Sequence, residues 1–137
     1  MPSFVSLVTI VVEDYDTAIA FFTQILGFDL TEDSPSETND GRPKRWVVVT
    51  PPNAETGILL AQADGEIQRH AIGNQTAGRV GFFLRVDDFD ATLARLNATG
   101  ATIVSPPRSM PYGTVAVFED LCGNRWDLLG PGPAPTP

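Results

Sequence analysis

The chain has 137 residues, 42% of them hydrophobic and 19% charged, which suits one domain with a sizeable core. Its formal net charge of −8 argues against nucleic acid binding, because phosphates demand a basic surface. A cationic ligand or a metal ion is compatible with this charge, although acidic composition can serve solubility alone. No apolar run reaches the roughly 20 residues that cross a bilayer, and the N-terminus has no basic n-region, so we expect a cytoplasmic protein.

The first predicted elements are a strand over Ser6–Val12 and a helix that follows it. Asp14 is placed to cap this helix, Ile19 and Phe22 recur at helical spacing, and Gly27 suits the left-handed residue that ends it. Three further strands are predicted at Phe28–Glu32, Arg45–Thr50 and Thr56–Gln62. The polar stretch 33–44 is expected to be irregular.

The second half has the same order of elements. The segment 63–78 joins the halves and has room for a short helix, and a strand is predicted at Val80–Val86. The next helix is capped by Asp88 and ends at Gly100. The remaining strands are predicted at Thr102–Ser105, Thr114–Phe118 and Asn124–Leu129. The Pro-rich stretch 106–113 is expected to be a loop, and residues 131–137 a disordered tail.

An internal repeat ties the two halves together. The segment Val12-Glu13-Asp14-Tyr15-Asp16 is echoed by Val86-Asp87-Asp88-Phe89-Asp90. Each half therefore has the order βαβββ, and the predicted fold class is α+β with two tandem modules. We expect one domain over residues 1–130, with module one at about 4–62, a linker at 63–78 and module two at about 79–129.

This tandem βαβββ repeat resembles the vicinal oxygen chelate superfamily of glyoxalases, bleomycin-resistance proteins and dioxygenases. The stretches that carry the resemblance are Ile10–Asp16 with Phe21–Phe22 and Leu26–Phe28, then Leu84–Phe89, then Val117–Asp120 with Gly123–Asn124 and Trp126–Leu128. The resemblance implies mixed sheets that curl around a shared concave cavity, usually in a homodimer. It also implies two types of chemistry: many members chelate substrate oxygens on a divalent metal, and others bind antibiotics without a metal.

The family's metal ligands occupy four equivalent strand positions, two in each module. The resemblance places these positions at Leu7, Leu59, Gly81 and Asp127. Only Asp127 carries a donor group, whereas such sites normally need three protein ligands. We therefore predict no metal and no other cofactor, with a divalent metal on displaced ligands as the alternative. His70 is the only histidine, which excludes any site that needs two histidines from one chain.

Strand alternation indicates which other side chains face the cavity. The predicted ligand-cavity residues are Leu7, Thr9, Leu59, Gly81, Phe83, Arg85, Tyr112 and Asp127. Gly81 is expected to leave empty volume. Arg85 either orients a ligand carboxylate or phenolate or forms an ion pair with Asp127. Trp46 and Trp126 fit the core better than a stacking platform.

These features favour a protein that binds a small, partly aromatic molecule in a largely apolar cavity without the usual metal site. A sequestering protein of the bleomycin-resistance type would fit, since its acidity would attract a basic antibiotic. One alternative is a metal-dependent lyase or dioxygenase with non-standard ligands, and another is a metal-free enzyme with Asp127 as general base. The sequence does not decide whether the protein is an enzyme. It also leaves open the ligand, the dimer geometry, and the roles of His70 and Cys122.

Overall fold

A computed structural model describes residues 2–131 and divides into two compact units, one ending at Ile72 and the other beginning at Gly73. The first unit contains β1 (Leu7–Val12), α1 (Tyr15–Ala20) with a π-helical continuation (Phe21–Ile25), β2 (Asp29–Glu37), β3 (Pro43–Thr50), β4 (Gly57–Gln62) and α2 (Glu66–Ala71). The second contains β5 (Val80–Arg85), α3 (Phe89–Ala98), β6 (Ile103–Met110), β7 (Gly113–Glu119) and β8 (Arg125–Leu129). That both modules form one domain stays a prediction. Apart from Pro131, the predicted tail lies outside the described residues.

Each unit holds one four-stranded mixed sheet, and the two sheets have the same topology. The strand orders are β1-β4-β3-β2 and β5-β8-β7-β6. In each sheet the first strand pairs in parallel with the last, and the other two pairings are antiparallel. The predicted α+β class and the βαβββ order of both halves are therefore confirmed.

The helices begin and end where the repeat predicts. The Asp14 carboxylate accepts a hydrogen bond from the Thr17 N–H at 2.9 Å, and that of Asp88 accepts from the Ala91 N–H at 3.0 Å. Each carboxylate thus satisfies an N–H group that has no partner within its helix. Gly100 follows α3 with a φ of 75°, a left-handed conformation that suits glycine. Among the described residues, no helix is long and apolar enough to cross a bilayer.

The core of each unit lies on one face of its sheet. In the first sheet Ile10 pairs with Leu60, which in turn pairs with Val47, and all three side chains are fully buried. In the second sheet Leu128 has the corresponding position and is also fully buried. Trp126 is 2% exposed, so the prediction that it belongs to the core is confirmed.

Two strands are longer than predicted, so the expectation of irregular structure at 33–44 and 106–113 was partly wrong. The strand β2 continues to Glu37, which pairs with Pro43, and β6 continues to Met110, which pairs with Gly113. Both are edge strands of their sheets. An edge strand tolerates proline because one side of its backbone needs no partner.

A buried carboxylate organises the turn between β7 and β8. Asp120 is 5% exposed and accepts four hydrogen bonds of 2.9–3.1 Å. The donors are the Cys122 N–H, the Asn124 N–H, the Asn124 side-chain amide and the Trp126 indole N–H. Cys122 therefore lies in a structural turn. The Trp126 indole is held by its N–H and also by stacking of its ring on Phe82 and Phe118, with ring centroids 4.7 and 5.9 Å away.

Candidate ligand-binding site

The first unit contains a cleft at the point where β3 and β4 separate. The ladder between these strands has three pairs and stops at Val47–Leu60. Beyond it, residues 43–46 of β3 pair only with β2, and residues 61–62 of β4 pair only with β1. The separated strand ends, the loop at 38–42 and the beginning of α2 enclose a cavity of about 620 Å³.

Tyr15 fills the gap between the separated strands from the side of α1. Its side chain is 8% exposed, and its hydroxyl accepts a hydrogen bond from the backbone N–H of Arg45 at 3.3 Å. The Arg45 guanidinium carbon lies 5.0 Å from the centre of the Tyr15 ring. This hydroxyl gives a partner to a backbone group in the part of β3 that has left the β4 ladder.

The apolar wall of the cleft comes from the sheet face opposite the core. Leu59 pairs with both Thr9 and Val48, so these three residues share that face. Trp46 and Ala61 lie two residues along their strands from Val48 and Leu59, and both are half-buried. Trp46, Leu59 and Ala61 all line the cavity. The expectation that Trp46 belongs to the core was therefore wrong.

The rim of the cleft holds a network of ion pairs around Arg42. Its two terminal nitrogens donate to the Asp64 carboxylate at 3.1 and 2.7 Å, and its Nε donates to Asp40 at 3.1 Å. Hydrogen bonds from Arg42 hold the pKa of Asp64 below its usual value. The pKa of Asp40 is lowered by hydrogen bonds from Thr38 and then from Arg42. The network ties the loop at 38–42 to the segment that follows β4.

A second guanidinium, that of Arg45, is held in a similar way. It contacts the Asp33 carboxylate at 3.1 and 2.7 Å and the Asp16 carboxylate at 3.0 Å. These hydrogen bonds lower the pKa of Asp33 and raise that of Arg45. Both arginines of the cleft are thus each neutralised by two carboxylates.

Three of the predicted cavity residues lie in the first sheet. Leu7 pairs with Gly57 and Thr9 pairs with Leu59, which places Leu7, Thr9 and Leu59 on the face opposite the core. Of the predicted set, Leu59 lines the cleft. Arg42, Lys44 and Asp64 also line the cleft but were not predicted as site residues. The signal in the sequence was the polar stretch 33–44 before Trp46, which contains two of them.

The other predicted cavity residues lie in the second unit. Phe83 pairs with Asp127, and Arg85 lies two residues further along β5. Phe83 is 66% exposed, and Tyr112, in the turn between β6 and β7, is 51% exposed. The Arg85 guanidinium donates to the Gly130 carbonyl at 2.8 Å. Within residues 2–131 no ion pair joins Arg85 to Asp127, so that alternative is wrong. That the whole set lines one cavity stays a prediction.

The empty volume expected at Gly81 is not there. A Cβ atom on Gly81 would lie 2.8 Å from the methyl group of Thr76, so that side chain already fills the space. The Thr76 hydroxyl donates to the Arg79 carbonyl at 2.7 Å, which fixes the threonine over β5. The linker segment therefore supplies the group that covers Gly81.

The four positions that the family uses for metal do not fit a divalent ion here. Leu7 and Leu59 have no donor atom, Gly81 has no side chain, and Asp127 supplies one carboxylate. Within residues 2–131, no group of three His, Cys, Asp or Glu residues lies close enough to hold a metal. His70 is exposed on α2, with Nε2 3.6 Å from the Glu66 carboxylate. That the protein has no cofactor stays a prediction.

Comparison with known proteins identifies the family. A sequence profile of the Glyoxalase/Bleomycin resistance protein/Dioxygenase superfamily matches residues 5–128. The chain belongs to this superfamily. An uncharacterised protein of Shewanella frigidimarina is 50% identical over 123 residues, with 89% of each chain covered. The predicted resemblance is thus confirmed.

Two solved structures are similar to nearly the whole of this chain. The crystal structure of UcmS2 is 34% identical, with a TM-score of 0.74 and coverage of 94% of this chain and 98% of that one. TnmS3, described as an antibiotic binding protein from Streptomyces sp. CB03234, is 32% identical. Its TM-score is 0.73, with coverage of 96% of this chain and 98% of that one. One of these two similar structures is therefore that of a protein described as binding an antibiotic.

Proposed function

We propose that this protein binds a small, partly aromatic organic molecule without a metal ion, and that the cleft of the first unit holds the molecule. The cleft itself is the observation that carries the proposal. Its volume of about 620 Å³ lies within the range of roughly 300–1,000 Å³ that is typical of small-molecule sites. Its lining is more polar than is usual for such sites and than the largely apolar cavity that the sequence predicted, because the apolar wall meets a rim of charged and amide side chains.

The most useful group for binding is Trp46. Trp46 is half-buried and lines the cleft together with Leu59 and Ala61, so a planar ring that stacks on it would lose water from the face in contact. Offset stacking of two aromatic rings contributes about 0.5–1.5 kcal/mol beyond the burial of area. We expect the ligand to contact Trp46 with a ring and the rim with polar substituents.

The similarity to TnmS3 supports binding without turnover. That protein is described as antibiotic binding, and it matches 96% of this chain. Sequestration requires a site that retains its ligand and needs no catalytic group. Leu7, Leu59 and Gly81 stand at positions where the family holds metal ligands, and none of them has a side-chain atom that can coordinate a metal. This is consistent with such a role.

The proposal is tested by calorimetric titration with a panel of planar aromatic antibiotics and simpler polycyclic aromatics. Trp46→Ala is expected to weaken binding about tenfold, which corresponds to about 1.4 kcal/mol, because it removes the stacking surface. Phe83→Ala is the matched variant, since it removes an exposed aromatic side chain from the second sheet. We expect Phe83→Ala to bind as the wild type does.

Two results would contradict the proposal. The absence of saturable binding across the panel would exclude sequestration. A loss of binding in Phe83→Ala but not in Trp46→Ala would move the ligand from the cleft to the second sheet. Recovery of chemically unchanged ligand after long incubation separates binding from catalysis, because an enzyme would convert it.

A further inference from the structure

The cations that line the cleft differ in whether they already have partners. Arg42 is held by Asp40 and Asp64, and Arg45 by Asp33 and Asp16. The third cation that lines the cavity is Lys44. Among the residues that the structure describes, no carboxylate forms an ion pair with its ammonium group.

Lys44 lies beside the proposed stacking surface. It precedes Trp46 by two positions on β3, so the two side chains leave the same face of the strand. The pairing of β3 with β2 agrees, since Lys44 pairs with Ser36 and Trp46 pairs with Ser34. Two residues of a strand span roughly 7 Å, a distance that one aromatic molecule with a substituent can bridge.

The acidic groups of the cleft are not available in the same way. Asp40 and Asp64 line the cavity, but both carboxylates already accept hydrogen bonds from Arg42. A cationic ligand would have to compete with that guanidinium, whereas an anionic ligand meets the ammonium group of Lys44, which has no ion-pair partner within residues 2–131. The net charge of −8 acts only weakly at contact distance, because surface charges more than about 8–10 Å away are screened at physiological salt.

We propose that the cleft selects aromatic anions: a planar ring contacts Trp46, and a carboxylate, phenolate or sulfonate on that ring pairs with Lys44. The inference rests on the proposed function and specifies its ligand class. It departs from the basic antibiotic that the overall charge suggests.

The test uses three probes with one ring system: naphthoate, naphthamide and naphthylmethylammonium. The chain has two tryptophans, so a heteronuclear NMR spectrum contains two indole N–H signals. The Trp46 signal reports the cleft, and the Trp126 signal is an internal control because its N–H is bonded to buried Asp120. We expect naphthoate to shift the Trp46 signal with a dissociation constant about three- to fivefold lower than that of naphthamide. The ammonium probe should bind more weakly than either.

Three variants assign the preference to one side chain. Lys44→Gln should remove the difference between naphthoate and naphthamide, and Lys44→Arg should retain it. Arg108→Gln changes the net charge by the same amount at an exposed position on β6, so it should leave the difference intact. Lys44 is exposed, and therefore none of these changes is expected to disturb folding.

The outcomes separate this inference from the proposed function. Equal affinity for naphthoate and naphthamide, or a preference for the ammonium probe, would overturn the anion selectivity and leave aromatic binding intact. A preference that survives Lys44→Gln would overturn the role of Lys44. No shift of the Trp46 signal with any probe at millimolar concentration would overturn both proposals.

Discussion

The two units share a strand order but differ at one end of their sheets. In the second unit the ladder between β7 and β8 continues to Val115–Leu129, and beyond it the Gly130 N–H donates to the Thr114 carbonyl at 2.8 Å. In the first unit the ladder between β3 and β4 stops at Val47–Leu60, one pair earlier in the repeat. A repeated fold can therefore close its sheet in one copy and leave a cleft in the other.

The difference coincides with the first residue of each helix. Phe89 begins α3 and packs on Gly130, where a Cβ atom would lie 3.1–3.3 Å from three atoms of Phe89. Tyr15, its equivalent in the repeat, begins α1 and uses its hydroxyl to bind the Arg45 N–H. At the position of Gly130 the first unit has Gln62. Gly130 thus lets the end of β8 lie close to α3. In the first unit the larger Gln62 stands at this position, and there β3 and β4 separate.

Gly130→Ala is the strongest test of the end of the second sheet, where β7 and β8 stay paired. The added methyl group would press on the buried Phe89, whose ring must shift slightly within a packed core, so we expect a loss of about 1–2 kcal/mol in the free energy of unfolding. Reduced entropy of the unfolded chain, about 0.4–1 kcal/mol for Gly→Ala, opposes this loss but does not cancel it. Urea denaturation measures the change.

The matched variant is Gln62→Ala at the equivalent position of the first unit. Gln62 is exposed and donates one hydrogen bond to the Glu13 carbonyl at 3.1 Å. We expect a change within about 0.5 kcal/mol. If Gly130→Ala were as stable as the wild type, the contact with Phe89 would not be what requires glycine there.

The features that could be predicted from the sequence are those that local chemistry determines. Asp14 and Asp88 have short side chains that accept hydrogen bonds, and each precedes apolar residues at helical spacing. Gly100 follows the second of these segments. Both helices were therefore placed correctly. Their repetition predicted the βαβββ order of each half. The strands other than β2 and β6 were placed to within about two residues for the same reason.

The features that could not be predicted depend on partners far along the chain. The ends of β2 and β6 depend on their position at the sheet edge, which allows proline. Thr76 fills the space at Gly81 because of the path of the linker, and Arg85 binds the Gly130 carbonyl because the two strands lie side by side. The cleft arises where a ladder stops, and no residue pattern within β3 or β4 marks that point.

Tyr15→Phe tests how the first sheet is supported where β3 and β4 separate. It removes the hydroxyl that accepts from the Arg45 N–H and keeps the ring beneath the Arg45 guanidinium. An unpaired, partly buried N–H costs about 1 kcal/mol, so we expect a loss of stability of that size. Hydrogen exchange of the Arg45 amide should accelerate in parallel.

The chain offers a control in its other tyrosine. Tyr112→Phe makes the same chemical change at a side chain that is 51% exposed, and it should leave stability unchanged. If the two variants were equally stable, the Tyr15 hydroxyl would not support the separated strands, and the cleft would owe its shape to the ion pairs at its rim.

The smallest expected effect concerns those ion pairs and depends on pH. The pKa of Asp64 lies below its usual 3.8 because Arg42 donates to both carboxylate oxygens. A lowered pKa in the folded state stabilises the protein above the unfolded value, and this contribution is lost as the pH falls through the folded value. Asp64→Asn should therefore reduce stability slightly at neutral pH and make the loss of stability below about pH 4 less steep.

Acid titration of the unfolding free energy provides the measurement, and Glu55→Gln provides the control. Glu55 is exposed in the turn between β3 and β4, and within the described part of the chain it forms no ion pair. Its removal leaves the Arg42 network intact, so the acid limb should retain more of its slope than in Asp64→Asn. If both variants changed the limb equally, the pair would contribute nothing beyond one negative charge. The loop at 38–42 would then be held by its own internal hydrogen bonds, which include those of Thr38 and Asp40 with Arg42.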